Sequence, residues 1–192
     1  NGFKVNDYSV PYHLRGKRVD LRFGTRVIEV MHGGQRVAMH ELSTSAGAVI
    51  TVAEHRPVAH QRVLDALTDA RKRFSVDCDR VFLSGHGMGG DATFDIAFAH
   101  PDLFAGVIPM SGVAEKFSQV TWQNARHLPM YVILGELDRD TVQRNNSVLE
   151  RLLVQGLHYD LIYAEYRGAG FDSFYDEIHR LFDWMSTRRR NT

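Results

Sequence analysis

A single cysteine, Cys78, occurs in 192 residues, so no disulfide can form within the chain. That fits a reducing compartment, and a cytoplasmic location is expected. No run approaches the ~18–20 apolar residues of a membrane helix, so a soluble protein without a membrane partner is expected. Asn1 to Asp7 contain no apolar core behind a basic start, so no secretory leader is expected. The missing initiator Met suggests a fragment or a processed product. Net charge is absent too, with 23 Lys/Arg against 23 Asp/Glu. Internal repeats and low-complexity stretches are lacking. What remains, 44% hydrophobic and 24% charged residues, suits one ordinary globular domain or two small ones.

The zero balance hides an asymmetry. Residues 1–62 hold nine Lys/Arg and five Asp/Glu, and residues 63–192 hold fourteen and eighteen. Periodicity changes at the same place. Tyr8 to Tyr12 is a short alternating segment whose Pro11 argues for an edge or a strand start. Arg18 to Phe23 alternates charged and apolar residues strictly, as a half-buried strand does. Thr25 to Met31 repeats the pattern, Gly33-Gly34 supplies a turn, and Gln35 to His40 and Ala48 to Val52 follow. About five short strands at this spacing predict a small antiparallel barrel or sandwich.

From residue 58 the pattern becomes helical, with Val63, Leu64, Leu67 and Ala70 forming a stripe that ends near Phe74. Val81 to Leu83 reads as a buried strand. A helix is expected from Met88 to Ala99, stopped by His100-Pro101. Strands at Ala105 to Pro109, Met130 to Leu134 and Tyr159 to Ala164 alternate with helices at Val142 to Val154, closed by Gly156, and at Asp176 to Met185. Such alternation predicts βαβ units on a parallel sheet. The expected fold class is therefore α/β: a small N-terminal antiparallel β-barrel over residues 1–60, then a parallel sheet flanked by helices over 61–192.

The chemistry centres on Ser84-Gly85-His86-Gly87-Met88-Gly89-Gly90-Asp91, where a strand meets a helix through a sharp glycine turn. This is the architecture of a nucleophile elbow, in which flanking glycines let the middle residue project at a helix N-terminus. That middle residue is Gly87. With His100-Pro101-Asp102-Leu103-Phe104 and the strand leading to Ser111-Gly112, the segment resembles the α/β-hydrolase superfamily, its esterase and peptidase-like members in particular. The resemblance covers residues 63–187. It places the catalytic acid at Asp138, in Gly135-Glu136-Leu137-Asp138, and the catalytic histidine in the loop Tyr166 to Phe174, which holds none. Phe171 is its equivalent, within two positions.

Gly87 has no side chain to attack a carbonyl, and Phe171 cannot carry a proton. Losing the nucleophile alone lowers turnover about a millionfold, leaving ~10³–10⁴ over water. The early loop that would donate one oxyanion amide is missing as well, together with the strands that precede the elbow. The sheet should therefore be truncated to about four strands, with Val81 to Ser84 at an edge. Substitutes for the lost groups are poor. Ser84 reads as a buried hydroxyl, Ser111 as a turn residue and His86 as a loop-packing or solvent-facing group. His158 opens a strand, His179 lies on the last helix, and Asp91 complements the helix dipole.

In the front half, Tyr8 to Tyr12, Gly16 to Arg22, Val27 to Val30, Arg36 to Ala38, Glu54 to Pro57 and His60 form a second pattern. It resembles the small β-barrel near the C-terminus of insertion-sequence transposases with a Mu-type integrase region. The resemblance implies a non-catalytic barrel that assists DNA binding or assembly, with the metal-holding acids lying outside this chain. Lys17, Arg18, Arg22, Arg26 and Arg36 are the candidate phosphate contacts, alongside the alternative that they form an ordinary solvated face. His13, His32, His40, His55 and His60 match no compact ligand spacing, so no metal and no cofactor are expected.

Three functions stay open: a catalytically inactive hydrolase-like scaffold or binder, a DNA-binding module acting through the barrel, and an esterase with an unorthodox nucleophile. Candidate partners are a small ester-like ligand at the elbow, DNA along the basic half, and a second copy through the exposed strand edge.

Overall fold

The computed structural model describes residues 6–14, 16–46, 48–50, 52, 55, 57–115, 118, 122–154 and 159–190. They fall into two units, Asn1–Lys72 and Arg73–Thr192.

In the first unit, β1 (Asp7–Tyr8) pairs in parallel with β5 (Val49–Ile50). The strands β2 (Asp20–Phe23), β3 (Val27–His32) and β4 (Gln35–Glu41) form an antiparallel meander. Gly33 and Gly34 both take positive φ, 58° and 79°, as a two-residue hairpin turn requires. Strand β3 shows the alternation its sequence carries: Ile28 and Val30 are buried and lie across from His40 and Ala38 of β4.

β1 is shorter than the segment Tyr8 to Tyr12 suggests. The chain leaves it before Pro11, whose carbonyl accepts from Leu14 N at 2.9 Å in a 3₁₀ turn over Tyr12–Leu14. The last part of the expected strand Ala48 to Val52, at Thr51, lies outside the described residues. Helix α1 (Val58–Arg73) buries His60 and Leu64.

In the second unit, β6 (Phe82–His86), β7 (Gly106–Met110), β8 (Met130–Gly135) and β9 (Leu161–Tyr166) form one parallel sheet in that order. The two central strands, β7 and β8, are almost wholly buried, which is why they read as unbroken apolar runs. β6 lies at an edge, as expected.

Helix α2 (Met88–Ala99) connects β6 to β7 and buries Phe94, Ile96, Ala97 and Phe98. Helix α3 (Arg139–Val154) begins at Arg139, three residues before its apolar stripe, because the Asp138 carbonyl already accepts from Val142 N at 3.0 Å. The glycine expected to close it, Gly156, lies outside the described residues. Helix α4 (Ile178–Ser186) is strongly amphipathic. Its Leu181 and Trp184 complete a core with Ile108, Tyr131, Ile133 and Phe174. No described helix is long and apolar enough to cross a membrane.

Candidate functional site

The elbow forms as its glycines dictate. A Cβ on Gly85 would overlap the carbonyl of Gly89 and lie 2.8 Å from Thr93 Oγ1. One turn further on, a Cβ on Gly90 would lie 2.7 Å from Met110 O and 2.8 Å from Gly112 Cα. These close approaches fold the chain from β6 straight into α2. At the apex, Gly87 has φ 56° and ψ −120°, a conformation open to glycine and strained for other residues. Its amide donates to Met110 O at 2.9 Å, and its carbonyl accepts from Asp91 N at 3.0 Å.

Above that apex sits Phe171. A Cβ built on Gly87 would lie 2.8 Å from Phe171 Cζ, so the ring occupies the space of an apical side chain. Phe171 stacks edge-on against His86, with ring centroids 4.5 Å apart. His86 Nε2 lies 2.6 Å from the Asp172 carbonyl, which can only accept, so this nitrogen carries the proton. His86, Met110, Phe171, Asp172, Ser173 and Tyr175 line an open groove of about 500 Å³.

The loop bearing Phe171 is held from both ends. Gly135 passes so close to Gly170 and Ala169 that a Cβ there would overlap their carbonyls, and Leu137 N donates to Ala169 O at 2.8 Å. The segment ending at Asp138 therefore abuts the loop after β9. Asp138 Oδ2 is buried and has no hydrogen-bond partner.

At the loop's other end, Phe174 adopts φ 50° and packs against Tyr166. Beyond it, Glu177 is only 1% exposed. Its carboxylate accepts from the hydroxyls of Tyr131 and Tyr166 and meets Arg180 Nη1 at 3.2 Å. Burial alone would raise the Glu177 pKa, but the Tyr131, Tyr166 and Arg180 contacts outweigh it and hold the carboxyl below the usual range. Burial, reinforced by Glu177, pushes both Tyr131 and Tyr166 up to about 12.

The candidate substitutes are dispersed. Ser84, read from sequence as a buried hydroxyl, is exposed on β6, with which no strand pairs on the outer side among the described residues. Ser111 has φ 42° and is 4% exposed, and its Oγ has no hydrogen-bond partner. Asp91 accepts from Val113 N at 2.7 Å, fastening the loop after β7 to α2. His179 is exposed on α4, and His158 lies outside the described residues.

In the first unit Lys17, Arg18, Arg22, Arg26 and Arg36 are all exposed. Arg36 is tied to Glu29 at 2.7 Å, and Arg22 lies across from the same glutamate in the β2–β3 register. Three of the histidines there serve as fasteners. His40 Nε2 bonds Ser9 O at 2.7 Å, His55 Nδ1 bonds Ser9 Oγ at 2.8 Å, and His32 Nδ1 bonds Arg18 O at 3.1 Å.

Comparison with known proteins separates the two parts. Residues 2–63 match the family described as Mu transposase, C-terminal domain. The first part of this chain is similar to that domain. It is 44% identical over 55 residues to y4uI of Sinorhizobium fredii, a protein named as a transposase, and 44% identical over 54 residues to one named for insertion sequence IS408 in Burkholderia multivorans. Those stretches are 29% and 28% of this chain but only 11% and 10% of the two relatives.

Solved structures resemble the other part. A thermostable esterase aligns with TM-score 0.55 and 19% identity over 67% of this chain and 36% of its own. SOBER1 of Arabidopsis thaliana aligns with TM-score 0.51 and 20% identity over 65% and 60%. The fluorophosphonate-binding serine hydrolase FphF of Staphylococcus aureus gives 0.53 and 17% over 66% and 62%. At these identities the likeness is one of fold: an α/β-hydrolase-like sheet follows the Mu-transposase-like segment.

What the sequence did not disclose is the cover on the elbow. The resemblance set Phe171 at the histidine position, and so near the elbow, but an aromatic there gives no sign that its ring tip lies over the Gly87 apex itself. Glu177 looked like one more acid on a helix.

Proposed function

We propose that this chain joins a Mu-type barrel, residues 1–60, to a partial α/β-hydrolase-like domain, residues 61–192, that does not hydrolyse substrates by the triad route. Gly87, within the elbow of Gly85, His86, Met88 and Gly89, stands at the nucleophile position, and Asp138 and Phe171 stand at the acid and histidine positions. One observation carries this reading: the Phe171 ring fills the space over the elbow apex, where the only polar groups of Gly87 are backbone. The buried, unpartnered Asp138 Oδ2 is what remains of an acid whose histidine is gone. The role left to this domain is that of a scaffold or a binder of small ester-like ligands in the groove beside His86. A cytoplasmic setting accords with the free, exposed Cys78.

Hydrolysis of a p-nitrophenyl ester should stay at the buffer rate. The variant Gly87→Ser should not rescue it, because Phe171 occupies the position of the histidine that would take the serine proton and the early oxyanion loop is missing as well. That variant should also lose about 1–2 kcal/mol of stability from the positive φ. Enzymatic turnover that survives Gly87→Ala and disappears with Ser84→Ala or Ser111→Ala would establish the esterase reading instead.

A second reading concerns the first unit. The family match over residues 2–63, with exposed Lys17, Arg18, Arg22 and Arg26, supports a DNA-contacting or assembly role. Duplex DNA affinity should fall steeply with salt. Each neutralised phosphate-contacting cation should reduce the log–log salt slope by about 1. Arg36→Gln should change the slope least, since Glu29 already engages Arg36. A slope indifferent to Lys17→Gln, Arg18→Gln and Arg22→Gln together would remove this reading.

A further inference from the structure

The open edge of β6 has a geometry that selects its own partner. Val81 O accepts from Ala105 N at 2.7 Å, and Gly87 N donates to Met110 O at 2.9 Å. Amides and carbonyls alternate sides along a strand, so Val81, Leu83, Gly85 and Gly87 direct theirs toward β7. Phe82, Ser84 and His86 direct theirs away from the sheet. Among the described residues no strand pairs with β6 on that side. Ser84 is exposed, whereas its register partner on β7, Ile108, is 3% exposed.

We propose that β6 pairs with β6 of a second copy of this chain, antiparallel about a two-fold axis at Ser84, so that two four-stranded sheets become one. The three outward residues are spaced evenly around Ser84. In that register Ser84 faces Ser84 of the other copy, and Phe82 faces His86 in both directions. Directly opposed residues in a hydrogen-bonded antiparallel pair exchange both backbone bonds, so each outward group finds a partner. The side chains suit the arrangement. Two serines with Cα atoms ~5.5 Å apart bring no charge and little bulk to the axis, and Phe against His is a favourable aromatic cross-strand pair.

Phe82 to His86 also lack the devices that protect sheet edges, having no proline, lysine or other formal charge. The opposite edge of the sheet, β9, differs in carrying Glu165. Pairing β6 to β9 of another copy would moreover be head-to-tail and open-ended, whereas β6 on β6 closes as a dimer. This inference does not depend on whether the elbow is catalytic.

Sedimentation velocity on the full chain tests it. The native chain should sediment as a dimer. Ser84→Lys and Ser84→Asp, each placing like charges face to face on the axis, should weaken self-association at least about tenfold. Mixed in equal amounts, the two variants should reassociate as a heterodimer, an outcome that also shows both are folded. Ser84→Pro removes an outward amide without touching the β6–β7 ladder and should be monomeric with an unchanged circular dichroism spectrum. A monomeric native chain, charged variants that stay dimeric, or a mixture that fails to reassociate would each overturn the proposal.

Discussion

Replacing Glu177 with alanine should lower the stability of the second unit by about 3–5 kcal/mol, the scale expected when a buried, fully bonded charge is removed from its partners. The carboxylate sits between the hydroxyls of Tyr131 and Tyr166 with Arg180 beside it, and alanine would leave both hydroxyls without an acceptor. Urea unfolding followed by near-ultraviolet circular dichroism measures the loss. The triple change Glu177→Leu, Tyr131→Phe and Tyr166→Phe should recover most of it, because no polar group is then stranded.

The same cluster fixes the pH limits. Glu177 has a lowered folded pKa, so its contribution is full above the unfolded value of 4.5 and is lost as pH falls through the folded one. The tyrosines have raised values, so theirs is full below 10 and disappears as pH rises toward about 12. The alkaline limb should therefore steepen between those values in the native chain and flatten in the triple variant.

Two glycines four residues apart should respond in opposite directions to alanine. Gly85→Ala forces a Cβ into the carbonyl of Gly89, a backbone group that cannot swing aside, and toward Thr93 Oγ1. The elbow must open, at a cost of about 3 kcal/mol or more. Gly89 has nothing within 4 Å of its ideal Cβ and stands in the first turn of α2. Gly89→Ala should therefore stabilise by about 0.5–1 kcal/mol through helix propensity and the reduced freedom of the unfolded chain. Thermal unfolding of the pair distinguishes an elbow still held by backbone packing from a loosened loop, in which both changes would be mild.

The framework of the second unit was legible because local signals were strong. Glycines before Met88 and His100-Pro101 after Ala99 bracket α2, whose bounds match the sequence reading. Unbroken apolar runs marked β7 and β8 as central, and the missing earlier strands placed β6 at an edge. The same reasoning misjudged Ser84: a hydroxyl on a parallel strand is ordinarily buried, but the strand's edge position exposes it. In the first unit the alternation of β3 and the Gly33-Gly34 turn were readable, while the early end of β1 depended on the 3₁₀ turn after Pro11.

Long-range pairings left no local trace. Tyr131 and Glu177 are 46 residues apart, and neither gives a sign of the other. The ion pair of Arg36 with Glu29 was nearer to hand, since both flank the same hairpin, but the register shift between Val30 and Met31 in that hairpin left no mark in the sequence.

The central claim is that the elbow presents no nucleophile. Incubation of the native chain with a fluorophosphonate, followed by intact mass and peptide mapping, tests it directly. The folded protein should show an unchanged mass. A stoichiometric adduct on Ser84, Ser111 or any residue lining the groove beside Phe171 would contradict it.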